Sequence, residues 1–133
     1  MGAKSYGVGA ADWVCALPDH WVFAKTGMKK GEGIKSLVGW EFHGLPVGSH
    51  KSLAVVGTSP IPGKGKAARA HAATVYDGPK GNFVFNAGTC WWNMVLSTPP
   101  GFTNPPRLDF SHPDARVQQI TRNVLDKMVK AER

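Results

Sequence analysis

Apolar positions cluster into four short runs and one long periodic segment. The runs are residues 37–42, 53–57, 70–76 and 82–86, each bounded by glycine, proline or charged residues, which is the pattern of strands. Leu53-Ala54-Val55-Val56-Gly57 is apolar without alternation, as expected of a strand covered on both faces. Asp77-Gly78-Pro79-Lys80-Gly81 separates the last two runs, and its proline and two glycines predict a turn that folds them into an antiparallel hairpin. Phe83-Val84-Phe85-Asn86 then leads through Ala87-Gly88-Thr89 into residues 90–96, a strand, a tight turn and a short helix. Residues 97–106 carry four prolines and a glycine and predict an irregular surface crossing.

Residues 111–131 have the period of a helix. Ser111 is placed to cap it, Pro113 suits its first turn, and Asp114 complements its positive end. Val117, Ile120, Val124 and Met128 recur at three- and four-residue spacing, giving a stripe expected to pack on the sheet. Toward the start, residues 1–11 are small and glycine-rich and read as a loop. Residues 12–25 hold Trp13, Trp21 and Phe23 as apolar anchors beside a Leu17-Pro18-Asp19-His20 turn, and residues 26–35 read as a charged, glycine-rich loop. The expected fold class is α/β: about four strands including a C-terminal hairpin, and a long C-terminal helix, in a single domain over 1–133. A doubly wound sheet alternates strands with crossover helices. Only the C-terminal half of such an alternation is visible, so the domain is expected to be incomplete, with an apolar sheet edge open to a partner.

Composition changes this picture little, and charge asks one question. The net charge of +7 would suit an anionic partner. The bases nevertheless separate into Lys25, Lys29, Lys30 and Lys35, then Lys64, Lys66 and Arg69, then Lys127, Lys130 and Arg133. The first two groups sit among glycines and the third on a helix with Asp126 and Glu132, so no basic run interleaved with aromatics forms and no nucleic acid is expected as a partner. Residues 1–6 lack the apolar core expected of a signal peptide, and no apolar stretch approaches the ~18 residues that span a bilayer. The chain is expected to be cytoplasmic and without a membrane partner. Two cysteines 75 residues apart, Cys15 and Cys90, fit neither a disulfide scaffold nor paired zinc-ligand spacing, and reduced thiols are the expectation.

An ordered set of motifs carries a family likeness: Asp19-His20-Trp21-Val22-Phe23, Thr26-Gly27-Met28-Lys29-Lys30-Gly31, Leu37-Val38-Gly39-Trp40-Glu41-Phe42-His43-Gly44, Gly78-Pro79-Lys80-Gly81-Asn82-Phe83-Val84-Phe85-Asn86-Ala87-Gly88-Thr89, and Trp91-Trp92. In this order they resemble the C-terminal domain of the N,N-dimethylformamidase large (beta) subunit family, over residues 12–128. The resemblance implies a class I glutamine amidotransferase-like, flavodoxin-like three-layer sheet, of which this chain holds the second half. It also implies hydrolysis of small amides to an amine and an acid, with a mononuclear iron held by two tyrosines and one glutamate. The tyrosines belong to the preceding half of the domain; Tyr6 and Tyr76 stand in no ligand motif here.

Within that frame Glu41 is the first candidate iron ligand. Its strand-end, glycine-flanked motif matches the family's glutamate, and a carboxylate is a hard oxygen donor that suits iron beside phenolates. A lysine-paired or solvated carboxylate is the alternative role. His43, two residues on, shares a strand face with Glu41 and is the second metal candidate, against a plain strand-end histidine. Asn86 either donates to a substrate carbonyl or ties down the next turn. Cys90, behind a strand and a glycine turn, is weighed as a nucleophile, but Trp92 stands where a nucleophile elbow needs glycine, and a small buried residue is the expected role. Trp91, Trp92, Phe83 and Phe85 are expected as core packing. Three readings follow: part of an iron-dependent amidohydrolase for small amides, inactive alone; a non-catalytic interaction module that forms a homo-oligomer or joins the remainder of a larger subunit; and a cysteine hydrolase.

Overall fold

The computed structural model describes residues 6–63, 69–104, 109 and 113–131. The expected cap Ser111, with His112, Lys64, Lys66 and Arg133, lies outside the described residues. Seven strands are formed: β1 (Tyr6–Val8), β2 (Ala11–Val14), β3 (Gly33–Val38), β4 (Glu41–His43), β5 (Leu53–Ile61), β6 (Arg69–Asp77) and β7 (Phe83–Asn86). Two 3-10 turns, Trp21–Phe23 and Trp92–Val95, and one helix, α1 (Ala115–Ala131), join these strands among the described residues.

The strands make three small sheets, β1 with β4, β2 with β3, and β5-β6-β7, and every pairing among the described residues is antiparallel. The expected hairpin is present as β6–β7, with Thr74 opposite Asn86 and Asp77 opposite Phe83. The structure is α/β in composition. The parallel pairing of a doubly wound sheet does not occur among its described residues. Strand expectations failed in the glycine-rich start, where β1 replaces part of the predicted loop, and at residues 11–14, where β2 runs from the end of that loop into the segment of apolar anchors, because strand pairing rather than side-chain apolarity orders such short segments. Residues 37–42 are likewise not one strand. Trp40 takes a left-handed φ of 57°, which breaks the run into β3 and β4 and makes Glu41 the first residue of a new strand. β5 is half-buried rather than covered on both faces, with Val56 inside and Val55 partly exposed.

Backbone bonds stitch the sheets together. Ala16 N–H donates to the Val56 carbonyl at 2.8 Å, and Cys15 bridges to Gly57, joining β2 to β5 where β5 carries a bulge between Val55 and Gly57. Ser59 Oγ accepts from Val14 N at 3.2 Å and donates to the Asp12 carbonyl. His43 N–H donates to the Gly88 carbonyl at 2.9 Å, so β4 lies between β1 and the turn after β7.

Trp13 stands at the centre, fully buried, with its ring 5.6 Å from Trp92, 5.9 Å from Phe23 and 6.3 Å from His71, between centroids. Its six-membered ring lies on Gly57, where a Cβ would come within 2.8 Å. Helix α1 closes the core with Val117, Ile120 and Val124. Met128, expected on the same stripe, is 48% exposed, because the stripe outruns the core that it covers. The helix packs on the two 3-10 turns more than on the sheet: Asn123 Nδ2 donates to the Val22 and Ala24 carbonyls, both at 2.8 Å, and Trp92 Nε1 donates to Thr121 at 3.1 Å. Asp114 caps the helix by accepting from Arg116 N at 2.9 Å, and the Arg116 guanidinium reaches Glu32 at 3.1 Å and the Gly33 carbonyl at 3.2 Å, tying α1 to β3.

Removing the central indole leaves a cavity that three aromatic neighbours cannot close. Trp13→Ala should cost about 3–5 kcal/mol, read as a lowered urea midpoint with little change in slope.

Candidate functional site

The Gly39-Trp40 corner and the turn after β7 are brought face to face by side-chain bonds. Thr89 Oγ1 donates to the Leu37 carbonyl at 2.8 Å, and Cys90 Sγ donates to the Gly39 carbonyl at 3.2 Å. Phe42 and Thr89 form an isolated bridge between the two segments. The result is an open cavity of about 200 Å³ lined by Glu41, Phe42, His43, Asn86, Gly88, Thr89 and Cys90. Pockets that take drug-sized ligands span roughly 300–1,000 Å³, so this one suits a molecule of a few heavy atoms.

Alternation along β4 places Glu41 and His43 on one face and Phe42, 2% exposed, in the core. Both expected site residues therefore line the same cavity, as their spacing predicted. Asn86 joins them from β7. Its Oδ1 accepts from Gly88 N at 3.0 Å and its Nδ2 lies 2.7 Å from His43 Nδ1, so the amide both ties the turn and touches the cavity's imidazole. Cys90 is exposed rather than the small buried residue expected, because its thiol caps the β3–β4 corner at the surface. Cys15 is buried, burial pushes its thiol up, and the two cysteines are both free. Trp91, Trp92, Phe83 and Phe85 pack against the core as expected.

Behind the cavity lies a residue that the sequence gave no reason to single out. His71 is fully buried in β6. Its Nε2 lies 3.0 Å from the Ala87 carbonyl, which also accepts from Trp13 Nε1 at 3.0 Å. A carbonyl only accepts, so the His71 proton is on Nε2, and Nδ1 keeps a buried lone pair without a partner among the described residues. Gly88 is packed against this ring. It has a φ of 72°, and a Cβ there would meet His71 Nε2 at 2.7 Å and run into the Ala72 carbonyl. The only trace of His71 in the sequence is a histidine inside the apolar run Ala70-His71-Ala72-Ala73-Thr74-Val75.

The donor set does not by itself complete an iron centre of two phenolates and a carboxylate. Glu41 puts a carboxylate on the cavity, but among the described residues no three His, Cys, Asp or Glu side chains group to hold a metal ion. Tyr76 does not line the cavity and packs at a tilt against His50, 5.4 Å between centroids. Tyr6 stands opposite His43 in the β1–β4 ladder. Among the described residues no helix is long and apolar enough to cross a membrane.

The family described as N,N-dimethylformamidase beta subunit-like, C-terminal, matches residues 1–106, a span that takes in all seven strands and the cavity and stops short of α1. No curated protein and no solved structure matches the chain.

The buried imidazole makes stability depend on pH. Burial, partly offset by the bond to Ala87 and reinforced by nearby His43, pushes His71 down from the ordinary 6.5 to about 4. The unfolded chain therefore binds the proton first, and stability falls as pH drops from the unfolded value to the folded one. Urea unfolding should show a loss of about 3 kcal/mol over that window. His71→Gln, which keeps a side-chain N–H donor, should remove most of this slope.

Proposed function

Because this chain belongs to the N,N-dimethylformamidase beta subunit-like, C-terminal family, we propose that it forms the amide-binding part of a site that hydrolyses the C–N bond of small amides. The observation that carries this reading is the meeting of Glu41, His43 and Asn86, from strands distant in sequence, on one cavity of small-amide size. Amide hydrolysis needs three things: hydrogen-bond donors for the negative charge that develops on the carbonyl oxygen, a base for the attacking water, and a proton for the departing nitrogen. His43, held by the Asn86 amide, is the donor to that oxygen. Glu41 offers a carboxylate that can accept a proton or serve as one oxygen ligand of an iron. In the latter role its partners come from beyond the described residues, and the chain by itself is inactive. Residues 1–133 then form one incomplete domain, and the parallel strands of a flavodoxin-like, amidotransferase-like sheet belong to the part that completes it.

A second reading is favoured by Trp40. This indole is 66% exposed at a left-handed φ, and Val8, 62% exposed, precedes the Gly9 whose N–H donates to the Trp40 carbonyl at 3.0 Å. A bulky residue held in that conformation at the surface suits a contact with a partner, either another copy or the remainder of a larger subunit. On that reading the chain is a non-catalytic interaction module.

Anaerobic titration of ferrous ion into the purified chain separates the two. Weak saturable binding that Glu41→Ala abolishes, with no amine released from dimethylformamide, is the outcome expected of an incomplete amidohydrolase site. Binding indifferent to Glu41→Ala, together with a stable dimer that Trp40→Ser converts to monomer in light scattering, would instead establish the interaction module.

A further inference from the structure

The cavity's imidazole has a fixed proton, and a backbone amide decides where it sits. Gly88 N–H can only donate, and it donates to Asn86 at 3.0 Å, so the Asn86 atom facing Gly88 is the carbonyl oxygen Oδ1. The other end of the amide, the NH2 group, therefore faces His43 Nδ1 at 2.7 Å. An amide NH2 group donates and does not accept. His43 Nδ1 must then offer its lone pair, and the neutral ring carries its proton on Nε2.

We propose that Asn86 locks His43 as the Nε2–H tautomer, so that this imidazole serves the cavity as a hydrogen-bond donor to an amide or carboxylate oxygen and not as a metal ligand. The proposal rests on the amide-hydrolysing reading for its choice of ligand, but the lock itself follows from the hydrogen bonds alone.

Coordination requires the opposite arrangement. A metal-bound histidine gives one nitrogen's lone pair to the metal and donates its other N–H to a carboxylate, carbonyl or water. For His43 to bind a metal through Nε2, the ring proton would have to move to Nδ1, where it would point at the Asn86 NH2 group. Turning the amide over to accept that proton would set the same NH2 group against Gly88 N–H. Gly88 cannot easily withdraw, because its carbonyl accepts from His43 N at 2.9 Å and its neighbour Ala87 is held by Trp13 and His71. The lock is thus built from backbone groups on both sides of the ring. Nε2 has no hydrogen-bond partner among the described residues, which leaves its proton available to an oxygen entering the cavity.

The choice of oxygen ligand follows from the cavity. A tertiary amide has no N–H, so its carbonyl is its one polar handle, and a single fixed N–H donor is complementary to it. The carboxylate product presents the same kind of oxygen. Asn86 is a positioning residue in this scheme, since it acts through His43.

Nitrogen-15 NMR of the full chain tests the tautomer directly, at about pH 8, where an unperturbed imidazole is neutral. His43 should show an unprotonated, pyridine-type Nδ1 and a protonated, pyrrole-type Nε2. Asn86→Asp should reverse the two signals, because its carboxylate accepts from both Gly88 N–H and Nδ1–H. Asn86→Ala should leave a ring that averages between tautomers. The Trp13 indole N–H signal reports in each variant whether the fold behind the cavity is kept. Addition of dimethylformamide or of formate should shift the Nε2 signal in the wild type and not in Asn86→Asp. A protonated Nδ1 in the wild type, or an Nε2–H tautomer that survives Asn86→Asp in a folded protein, overturns the lock and leaves the amide-hydrolysing reading standing. A correct lock with no response to either ligand overturns the donor role and counts against that reading as well.

Discussion

One carbonyl oxygen organises this structure. The Ala87 carbonyl accepts from two buried N–H groups, Trp13 Nε1 on β2 and His71 Nε2 on β6, both at 3.0 Å. Each donor would be costly to bury without a partner. The acceptor sits in the turn that ends β7, so one atom fixes the relative position of three strands from two sheets. Trp13 also occupies the space that Gly57 leaves open at the β5 bulge, which aligns β2 for its bonds to β5. Such a small fold, with sheets of two and three strands, needs this kind of convergence, since ribbons of two strands are marginal in water.

The cavity inherits its rigidity from that point. Ala87 precedes Gly88, and Gly88 connects to both ends of the next layer: its N–H to Asn86 and its carbonyl to His43 N. Thr89 and Cys90 then bind the carbonyls of Leu37 and Gly39. The wall that carries Glu41 and His43 is therefore held to the wall that carries Asn86 by a continuous run of bonds along residues 86–90. A site placed this way is defined by backbone and not by long mobile side chains, which is the condition for presenting a fixed donor to a small ligand.

What the sequence made legible follows from range. The hairpin of β6 and β7 was readable because its turn residues and both strands are adjacent, and the helix was readable from its three- and four-residue period. Glu41 and His43 were placed on one face from spacing alone, although the strand carrying them was misjudged: nothing in Val38-Gly39-Trp40-Glu41 announces that Trp40 adopts a left-handed φ. β1 and β2 were unreadable because they are ordered by partners far along the chain, Tyr6 opposite His43 at 37 residues and Trp13 opposite Ile34 at 21. His71 stands at no ligand-like spacing from another histidine. Its meaning depends on a carbonyl sixteen positions later, and no local pattern encodes that.

The two histidines next to the turn show how the same side chain is given opposite tasks. His71 donates to a carbonyl and keeps an Nδ1 lone pair with no partner among the described residues, and burial holds the ring neutral well below ordinary imidazole values. His43 accepts from an amide and keeps its proton toward the cavity. In each case a backbone group that cannot change role sets the tautomer: the Ala87 carbonyl for His71, and Gly88 N–H, acting through Asn86, for His43. These two backbone groups are the C=O and the N–H of one peptide unit, the one that joins Ala87 to Gly88. The turn that shapes the cavity therefore also dictates the hydrogen-bonding character of both imidazoles, and a change of φ at Gly88 would disturb the packing of one and the proton position of the other together.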